Sequence, residues 1–403
     1  MSIASCVIVG GGHAARRAAE ALRAHDAHAQ ITIVGAETEL PYDRPVLSKE
    51  ALVGIEGERK AFIRDAAWYA AQRIEMRLGT AVASIERDAK RIRLADGSDL
   101  PYGKTLLATG SRVRRLDVPV DADACVHYVR TIHDTRALRD VLSAGKRVVV
   151  LGGGFIGLEV AASAASRGCR VVVVEPAERL LQRALPAQVG HYMTALHQKH
   201  GVEIRLGTTP RAVHRDGVDA DSGLIEADVV VAGIGVVPNI ELAQAAGLEV
   251  GNGIVVDAGC RTSDPDVFAA GEVTCHFNPL LGRHLRVESW QVAENQPAVA
   301  AANMLGADER YAEWPWLWSD QYTSNLQTLG VFEPSCSIVV RTLPGADAMA
   351  VFALRDDRTL GAVATINAGR EIGACKRLIA AAKPLDPAAL ADPGVPLRSL
   401  IGK

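Results

Sequence analysis

Three consecutive glycines, starting at Gly10, follow an apolar run and precede an alanine-rich stretch of helical character. A strand that turns into a helix through glycines leaves backbone N–H groups free at the helix start, where they can bind a phosphate. In this geometry Gly10 makes the tight turn, Gly12 allows close approach of a pyrophosphate, and Ala15 takes the third small position. Glu37 ends the next strand-like run and is placed to accept a hydrogen bond from a ribose hydroxyl. The segment therefore predicts a dinucleotide-binding unit.

The same pattern returns later in the chain, in the run KRVVVLGGGFIGLEVAASAASRGCRVVVVE. Here Gly152, Gly154 and Gly157 have the full G-x-G-x-x-G spacing, and Glu175 ends the following strand. The strand before the glycines and the helix after them make this match far more specific than the glycines alone. Two such units predict two bound dinucleotides, or a duplicated domain that has lost one ligand.

The overall composition limits the class of protein. A net charge of −3 and a pI near 6.4 argue against a general nucleic-acid binder, although a local basic patch for an acidic partner stays possible. The seven cysteines include no C-x-x-C pair, which favours buried free thiols over a metal site. The apolar run at 229–237 is too short to span a membrane, and the first strand begins almost at once, so we expect a cytoplasmic protein without a signal peptide.

Two further strand ends carry motifs of their own. TLLATGSR ends in Ala108, Thr109 and Gly110, and DVFAAGEVT ends in Gly271 and Glu272. The order of the two fingerprints and these motifs resembles that of the two-dinucleotide flavoproteins related to glutathione reductase. The resemblance implies that the first unit binds FAD, that the second binds NAD(P)H, and that Glu272 holds the ribityl chain, where the family usually has Asp.

Three local runs narrow the resemblance. PYDRPVLSK (41–49), RVESWQVAENQ (286–296) and PWLWSDQY (315–322) are similar to segments of the FAD-dependent ferredoxin reductases of bacterial oxygenase systems. That family commonly has a second proline where this chain has Val46. Relatives that use a thiol carry one or two cysteines on the helix after the first loop, and no cysteine lies between Cys6 and Cys125. The resemblance, which covers essentially the whole chain, therefore implies electron transfer without a thiol relay.

The resemblance also implies catalytic roles. Lys49 would lie near the reactive edge of the flavin, where a cation stabilises the reduced ring, and Glu159 would pair with it near the nicotinamide. Arg44 and Pro45 would pack beside FAD, and Trp318 would lie at the flavin. The alternatives are a surface lysine, an exposed helix acid and a core tryptophan. We also expect cofactor contacts from the neighbours of these motifs: His13, Ala14, Arg112, Phe155, Ile156, Gly233, Ile234, Gly235, Glu288, Ser289 and Trp290.

The second fingerprint favours NADH over NADPH. A carboxylate at the position of Glu175 accepts a hydrogen bond from the adenosine ribose and repels a 2′-phosphate. Arg179, four residues later, could instead bind such a phosphate, so both dinucleotides stay open at this point.

The expected fold class is α/β, with two Rossmann-like dinucleotide-binding domains and a small C-terminal α+β domain. We assign the FAD-binding domain to 1–115 and 248–318, the NADH-binding domain to 116–247, and the C-terminal domain to 319–403. Four basic residues on or near the last predicted helix could be a solvated face or part of a dock for an acidic ferredoxin: Arg370, Lys376, Arg377 and Lys383.

The predicted function is NADH:ferredoxin oxidoreductase, acting as a monomer or weak dimer. NADH would give a hydride to flavin N5, and single electrons would pass to a [2Fe–2S] ferredoxin, Rieske-type or cysteine-ligated. That ferredoxin would supply a terminal oxygenase of the aromatic-ring dioxygenase or P450 type. The alternative is a flavoprotein redox sensor of the apoptosis-inducing-factor type, which binds NADH but turns over slowly. A disulfide or peroxide reductase is nearly excluded by the cysteine positions.

Overall fold

The computed structural model describes residues 5–344 and 347–401. These residues divide into two compact units, each built from separate stretches of the chain. The first unit comprises residues up to Pro45, Lys60–Arg112 and Val236–Glu313, and the second comprises Val46–Arg59, Val113–Gly235 and the residues from Trp314 onward.

A five-stranded parallel sheet forms the centre of the first unit. Its order is Val267–Ala269, Lys104–Leu107, Ser5–Val9, Gln30–Gly35 and Ile74–Leu78. The central strands are apolar and buried because helices cover parallel sheets on both faces. The helices of this unit are His13–His25, Ala66–Ala71, Glu241–Ala245 and Trp290–Met304.

Two smaller sheets complete the first unit. One is an antiparallel sheet of Val82–Glu86, Arg91–Leu94 and Asp99–Pro101. The other contains Val250–Gly251, Gly253–Val256, Thr274–Asn278 and Arg283–Leu285. A two-stranded ribbon joins Ser111–Val113 to Val236–Pro238.

The second unit repeats the parallel architecture. Its sheet has the order Glu203–Leu206, Arg170–Glu175, Arg147–Leu151, Val229–Ala232 and Val126–His127. The valine runs of the two central strands are buried, as expected for strands covered on both faces. The helices of this unit are Glu50–Val53, Ile55–Arg59, Ile132–Val141, Phe155–Ser166 and Ala187–Lys199. A three-stranded antiparallel sheet also belongs to it, formed by Pro210–His214, Gly217–Ala220 and Gly223–Glu226.

The C-terminal part of the second unit is a five-stranded antiparallel sheet. The order of the strands in the sheet is Trp316–Gln321, Ser324–Gly330, Leu360–Ile366, Ala348–Leu354 and Ser337–Leu343. After the last strand the chain forms the helices Ile372–Ala381 and Pro387–Ala391 and the short 3₁₀ helices Gly369–Glu371 and Leu397–Ile401. In the sequence, the runs SIVVRTL, MAVFAL and LGAVATIN predict the last three strands, and EIGACKRLIAAA predicts the helix after them, whereas the tryptophan-rich segment was identified only as a motif. Polar residues interrupt the alternation of that segment, which hides the strand Trp316–Gln321.

The predicted fold class is confirmed, with two Rossmann-like sheets and a C-terminal antiparallel sheet. The boundaries of the two compact units differ from those of the four predicted domain segments. Residues 46–59 belong with the second unit, as do the residues of the predicted C-terminal domain. The predicted domain boundaries stay predictions.

Candidate cofactor and electron-transfer site

The first glycine turn leaves the start of a helix open. Gly10 has φ +122°, and a Cβ atom there would lie 2.2 Å from the carbonyl oxygen of Ala108, so only glycine fits. The helix His13–His25 begins after Gly12 with no side-chain cap and no acidic residue in its first turn. Its first N–H groups and the positive end of its dipole are therefore available to an anion.

The second glycine turn has the same construction. Gly152 has φ +109°, and a Cβ there would lie 2.5 Å from the carbonyl oxygen of Gly233. A Cβ at Gly157 would lie 2.2 Å from the carbonyl oxygen of Gly152, whereas one at Gly154 would meet no atom within 4 Å. The helix Phe155–Ser166 begins there, again without a side-chain cap. Crowding on the sheet side and open space at the helix start are what a pyrophosphate site requires.

Glu175 lies beside this second turn. Its Oε2 accepts a hydrogen bond from the backbone N–H of Gly153 at 2.6 Å, and its Oε1 accepts one from Ala177 at 2.9 Å. Arg179 points elsewhere, because its guanidinium donates to the backbone carbonyls of residues 182 and 185 at 3.2 and 2.6 Å. Arg179, which the sequence suggested as a possible ligand of a 2′-phosphate, is thus already bonded to backbone carbonyls.

The carboxylate of Glu37, two residues after the strand Gln30–Gly35, is bonded to Arg44 and Tyr42. Nη2 of Arg44 donates to its Oε1 at 2.6 Å, and the hydroxyl of Tyr42 donates to its Oε2 at 2.5 Å. A Cβ at Gly12 would lie 3.8 Å from Arg44 Nη2, so this guanidinium lies beside the first glycine turn. A carboxylate has about four acceptor positions, so a ribose hydroxyl can still join this arrangement. Tyr42 was missed by the sequence reading.

The ends of two other strands are held by side-chain bonds. Thr109 Oγ1 donates to the carbonyl oxygen of Asn239 at 2.9 Å, and Asn239 Nδ2 donates back to the carbonyl oxygen of Thr109 at 2.9 Å. Arg112 pairs with Glu241 at 2.7 Å. These bonds fix the Ala108–Gly110 turn next to the glycine turn that it contacts.

The turn that carries Glu272 packs against the first helix. Gly271 has φ +89°, and a Cβ there would lie 3.1 Å from the Cβ of Ala14. Its N–H donates to Oε1 of Gln296 at 2.8 Å, and Thr274 Oγ1 donates to the same oxygen at 3.1 Å. Glu272 therefore follows a turn that packs against the start of the first helix, and its role with the ribityl chain stays a prediction. Gln296 was part of a recognised motif, but its role in fixing this turn was not predicted.

His13, the first residue of its helix, is buried between two carboxylates. Its Nδ1 lies 2.8 Å from Asp43 Oδ1, and its Nε2 lies 2.6 Å from Glu294 Oε2. Burial lowers the pKa of this imidazole, but the hydrogen bonds to the two carboxylates outweigh that effect and raise the pKa above its ordinary value. Trp290 joins the cluster by donating from Nε1 to Asp43 Oδ1 at 2.9 Å. The sequence singled out His13 and Trp290 but not the two acids, which are 251 residues apart in the chain and have no shared motif.

Lys49 and Glu159 form a buried ion pair in the second unit. Lys49 Nζ lies 3.6 Å from Glu159 Oε1, with side-chain exposures of 12% and 4%. The hydroxyls of Ser48 and Ser319 donate to the two carboxylate oxygens at 2.5 and 2.6 Å. Burial raises the pKa of Glu159 above its ordinary value, while the charge of Lys49 and the hydroxyls oppose that rise. The ammonium also lies 5.8 Å from the centre of the Trp318 ring.

This arrangement excludes the alternatives of a surface lysine and an exposed helix acid. Trp318 is stacked on Trp316, with ring centres 5.1 Å apart. The two serines were missed as site residues, because serine is common at helix starts and in strands and carries no signal of its own. Of the other predicted residues, Ile156 is 46% exposed at the second helix start, Ser289 caps the helix Trp290–Met304, and Glu288 pairs with Arg286 at 2.6 Å.

The cysteines are dispersed along the chain, and burial disfavours the thiolate form of those in the core. All seven are free, and the segment from Tyr42 to Lys49 contains none. Burial raises the pKa of the Cys6 thiol to about 11 and that of Cys375 to about 12. Thiols held in the protonated form are poor nucleophiles.

Residues 5–344 and 347–401 contain neither a metal-binding cluster nor a helix suited to cross a membrane. No cluster of histidine, cysteine and acidic side chains that could hold a metal ion occurs among them. None of the helices described there is both long and apolar enough to cross a bilayer.

The residues present fit two dinucleotides. Each Rossmann-like sheet has a glycine turn that no larger residue could occupy, and each turn opens onto an uncapped helix start. Both features suit a diphosphate, since uncapped N–H groups need acceptors and the helix dipole favours negative charge.

The fold and the two glycine turns together define a protein with two dinucleotide-binding sites. Residues 4–297 match the family model described as pyridine nucleotide-disulphide oxidoreductase, and residues 316–401 match the one described as reductase C-terminal.

Individual relatives agree along the whole chain. The ferredoxin–NAD(+) reductase component of the anthranilate 1,2-dioxygenase system of Burkholderia cepacia is 62% identical, and the alignment covers 100% of both chains. Rhodocoxin reductase of Rhodococcus erythropolis is 39% identical over 99% of this chain and 95% of its own. The reductase in the crystal structure of the covalent putidaredoxin reductase–putidaredoxin complex superposes with a TM-score of 0.95 at 38% identity, covering 100% of this chain and 99% of that one.

The chain therefore belongs to the pyridine nucleotide-disulphide oxidoreductase family and, within it, to the FAD-dependent ferredoxin–NAD(+) reductases of bacterial oxygenase systems. The predicted family, fold class and cofactors are confirmed. The individual roles assigned to site residues stay predictions.

The second glycine turn allows a matched test. Gly157→Ala should destabilise the protein and abolish NADH binding, because its Cβ would overlap a backbone carbonyl at 2.2 Å. Gly154→Ala should fold normally, since that position has φ −83° and free space, but it should weaken NADH binding because the methyl group takes space that the diphosphate needs. Thermal unfolding and NADH titration of both variants check this. Equal NADH affinity in Gly154→Ala and the wild type would place the diphosphate elsewhere.

Proposed function

We propose that this chain is an NADH:ferredoxin oxidoreductase that supplies electrons to a terminal oxygenase acting on an aromatic acid. The observation that carries the proposal is the buried ion pair between Lys49, which comes from a segment without cysteine, and Glu159 of the second glycine-turn helix. A thiol-dependent reductase needs a nucleophile beside the flavin, whereas an electron-transfer enzyme needs only orientation and electrostatics from the protein. The 62% identical relative is named as part of an anthranilate dioxygenase system, which supports the substrate class of the oxygenase.

Cofactor binding is assigned to the two glycine turns. The start of the helix His13–His25, with Glu37, Arg44 and Glu272, would hold FAD, and the start of the helix Phe155–Ser166, with Glu175, would hold NADH. Bound FAD supplies the acceptance of a hydride from NADH and the release of electrons one at a time. The protein contributes N–H donors to the diphosphates, carboxylates to the ribose and ribityl hydroxyls, and a glycine turn at each site that admits the cofactor.

Lys49 and Glu159 would set the charge next to the reacting rings. An ammonium that is 12% exposed acts in a less polarisable environment than water, so its field on a neighbouring ring is stronger there. The paired carboxylate limits that field and keeps the lysine in one position. We place the enzyme in the cytoplasm, where NADH and a reduced ferredoxin pool are available.

Ferredoxin dependence tests the function directly. With NADH and the [2Fe–2S] ferredoxin of an anthranilate dioxygenase system, we expect rapid reduction of cytochrome c that is lost when the ferredoxin is omitted. NADPH should support much slower turnover. Slow turnover that no added ferredoxin accelerates, together with a long-lived complex between the reduced enzyme and NAD, would instead indicate the sensor alternative.

The NADH preference is assigned to the charge of Glu175. Glu175→Gln keeps the size of the side chain and one acceptor oxygen but removes the repulsion of a 2′-phosphate. We expect the ratio of kcat/KM for NADH to that for NADPH to fall by about tenfold, which corresponds to roughly 1.4 kcal/mol. Glu178→Gln, an exposed acid three residues later, is the control and should leave the ratio unchanged. Equal ratios in both variants and the wild type would remove Glu175 from cofactor selection.

The role of Lys49 is tested with Lys49→Met, which keeps the apolar stem of the side chain and removes its charge. Loss of about 1.4–3 kcal/mol of attraction for the reduced flavin should lower its two-electron midpoint by roughly 30–65 mV. The lower part of this range applies if Glu159, without its partner, takes up a proton. Glu159→Gln should shift the midpoint in the opposite direction, because the lysine then acts unopposed.

An anaerobic redox titration measures these shifts, and Lys60→Met provides the control. Lys60 is an exposed lysine a short distance along the chain, so removing its charge should barely change the midpoint. A wild-type midpoint in Lys49→Met would show that the Lys49–Glu159 pair does not act on the flavin.

A further inference from the structure

A chain of buried polar side chains leads away from Glu159. The hydroxyl of Ser319 donates to Glu159 Oε1 at 2.6 Å, and Nε2 of Gln321 donates to the Ser319 oxygen at 3.0 Å. Oε1 of Gln321 lies 2.8 Å from Nε2 of His197, and Nδ1 of His197 lies 3.2 Å from the hydroxyl of Tyr322. Ser319, Gln321 and His197 have exposures of 1%, 2% and 0%, so water cannot replace these bonds.

The charge of Glu159 determines the direction of every bond in this chain. An ionised carboxylate can only accept, so the Ser319 hydrogen points to it and the serine oxygen must accept from the Gln321 amide. The Gln321 carbonyl then faces His197, whose Nε2 must carry the hydrogen. His197 Nδ1 is consequently an acceptor, and the Tyr322 hydroxyl donates to it. All donors point toward the carboxylate, and such an aligned series polarises its members in the same sense.

A neutral His197 is what this arrangement requires. Burial lowers the pKa of the imidazole, and the charge of nearby His200 lowers it further, while the bond to Gln321 has the opposite effect. The strand Glu203–Leu206 packs against the helix that carries His197, and its charged residues Glu203 and Arg205 pair with each other at 2.6 Å.

The outer end of the chain is held in an unusual backbone conformation. Tyr322 has φ +55°, a left-handed conformation that a tyrosine rarely adopts and that persists only where the surroundings enforce it. It lies in the tight turn between the strands Trp316–Gln321 and Ser324–Gly330, and its ring is stacked on that of exposed His200 with 3.6 Å between centres. This conformation brings the hydroxyl to His197.

We propose that Ser319, Gln321, His197 and Tyr322 form a positioning network that keeps Glu159 ionised and thereby keeps Lys49 paired. The network provides the aligned donors that a buried carboxylate needs, because burial alone favours its neutral form. Within the described residues, Lys49 is the charged side chain that pairs with Glu159, and Asp320, on the strand of Ser319, is exposed and accepts from Asn325. Gln321 and His197 are thus positioning residues for electron transfer, a role that rests on the proposed function of the Lys49–Glu159 pair.

The ionisation of Glu159 can be measured directly on the oxidised holoenzyme by infrared difference spectroscopy during a pH titration. The carbonyl band of the protonated acid is assigned by its loss in Glu159→Gln. Gln321→Met has similar volume but breaks both bonds of the amide, so half-protonation should move up by about one pH unit, a tenfold weaker acid. Tyr192→Phe is the control. Tyr192 lies on the same helix as His197, but its hydroxyl bonds to Ser324 and Asp347, which are outside the network.

A second pair of variants covers the case in which Gln321→Met does not fold. His197→Leu should raise the pH of half-protonation, and His197→Gln, which can still donate to Gln321, should restore most of the wild-type value. A merely structural role for His197 would not produce this difference. An unchanged titration of Glu159 in folded Gln321→Met, or equal titrations in the two His197 variants, would overturn the proposal.

The flavin midpoint of the same variants separates this inference from the proposed function. A shifted Glu159 titration together with a raised midpoint supports both. A shifted titration with a wild-type midpoint would support the network and refute the action of the Lys49–Glu159 pair on the flavin.

Discussion

The close approach of backbone to backbone at two glycine turns is the constraint on which the rest of this protein depends. At Gly10 and Gly152 a strand must turn into a helix within contact distance of a neighbouring strand's carbonyl oxygen, and no Cβ can be accommodated. The turn therefore delivers an uncapped helix start to the carboxyl edge of each parallel sheet. That edge is where open α/β sheets bind ligands, since strand ends and helix starts meet there. These two turns are held in place by the parallel sheets with their valine-rich strands and by the bonds that fix the neighbouring strand ends.

Each unit also contains buried charged groups, and side chains from distant parts of the chain compensate their charge. In the first unit, His13 is enclosed by Asp43 and Glu294, which makes the imidazole easier to protonate despite its burial. In the second unit, the carboxylate of Glu159 is surrounded by an ammonium and two hydroxyls. Removing one partner from such a cluster leaves an uncompensated buried charge, which costs far more than a surface pair contributes. Both clusters therefore set the local charge and tie together side chains from distant parts of the chain.

The segment from Tyr42 to Lys49 contains no thiol, and this limits the ways in which the protein can transfer electrons. A cysteine pair accepts two electrons by forming and breaking a bond, whereas a lysine–glutamate pair changes no bond and acts only through its field. Electrons must then leave the flavin directly for an external acceptor. The ferredoxin reductase family to which the chain belongs has this requirement, and the raised thiol pKa values of the buried cysteines are consistent with their having no redox role.

The sequence by itself determined what is local in this protein. Glycine spacing, strand-ending acids and apolar periodicity predicted two Rossmann-like sheets and the turns at Gly10 and Gly152, because each depends on a few consecutive residues. The motif around Lys49 and the acid Glu159 could be matched to a family segment by segment. Only the tertiary structure decided which side chains complete the clusters: Asp43 and Glu294 around His13, and Ser48, Ser319, Gln321 and His197 around Glu159. These partners come from different strands and helices, and serine, glutamine or histidine at one position carries no local pattern that names its partner. Their role arises from burial, because a buried polar atom without a hydrogen bond costs free energy. Burial is a property of the folded chain alone.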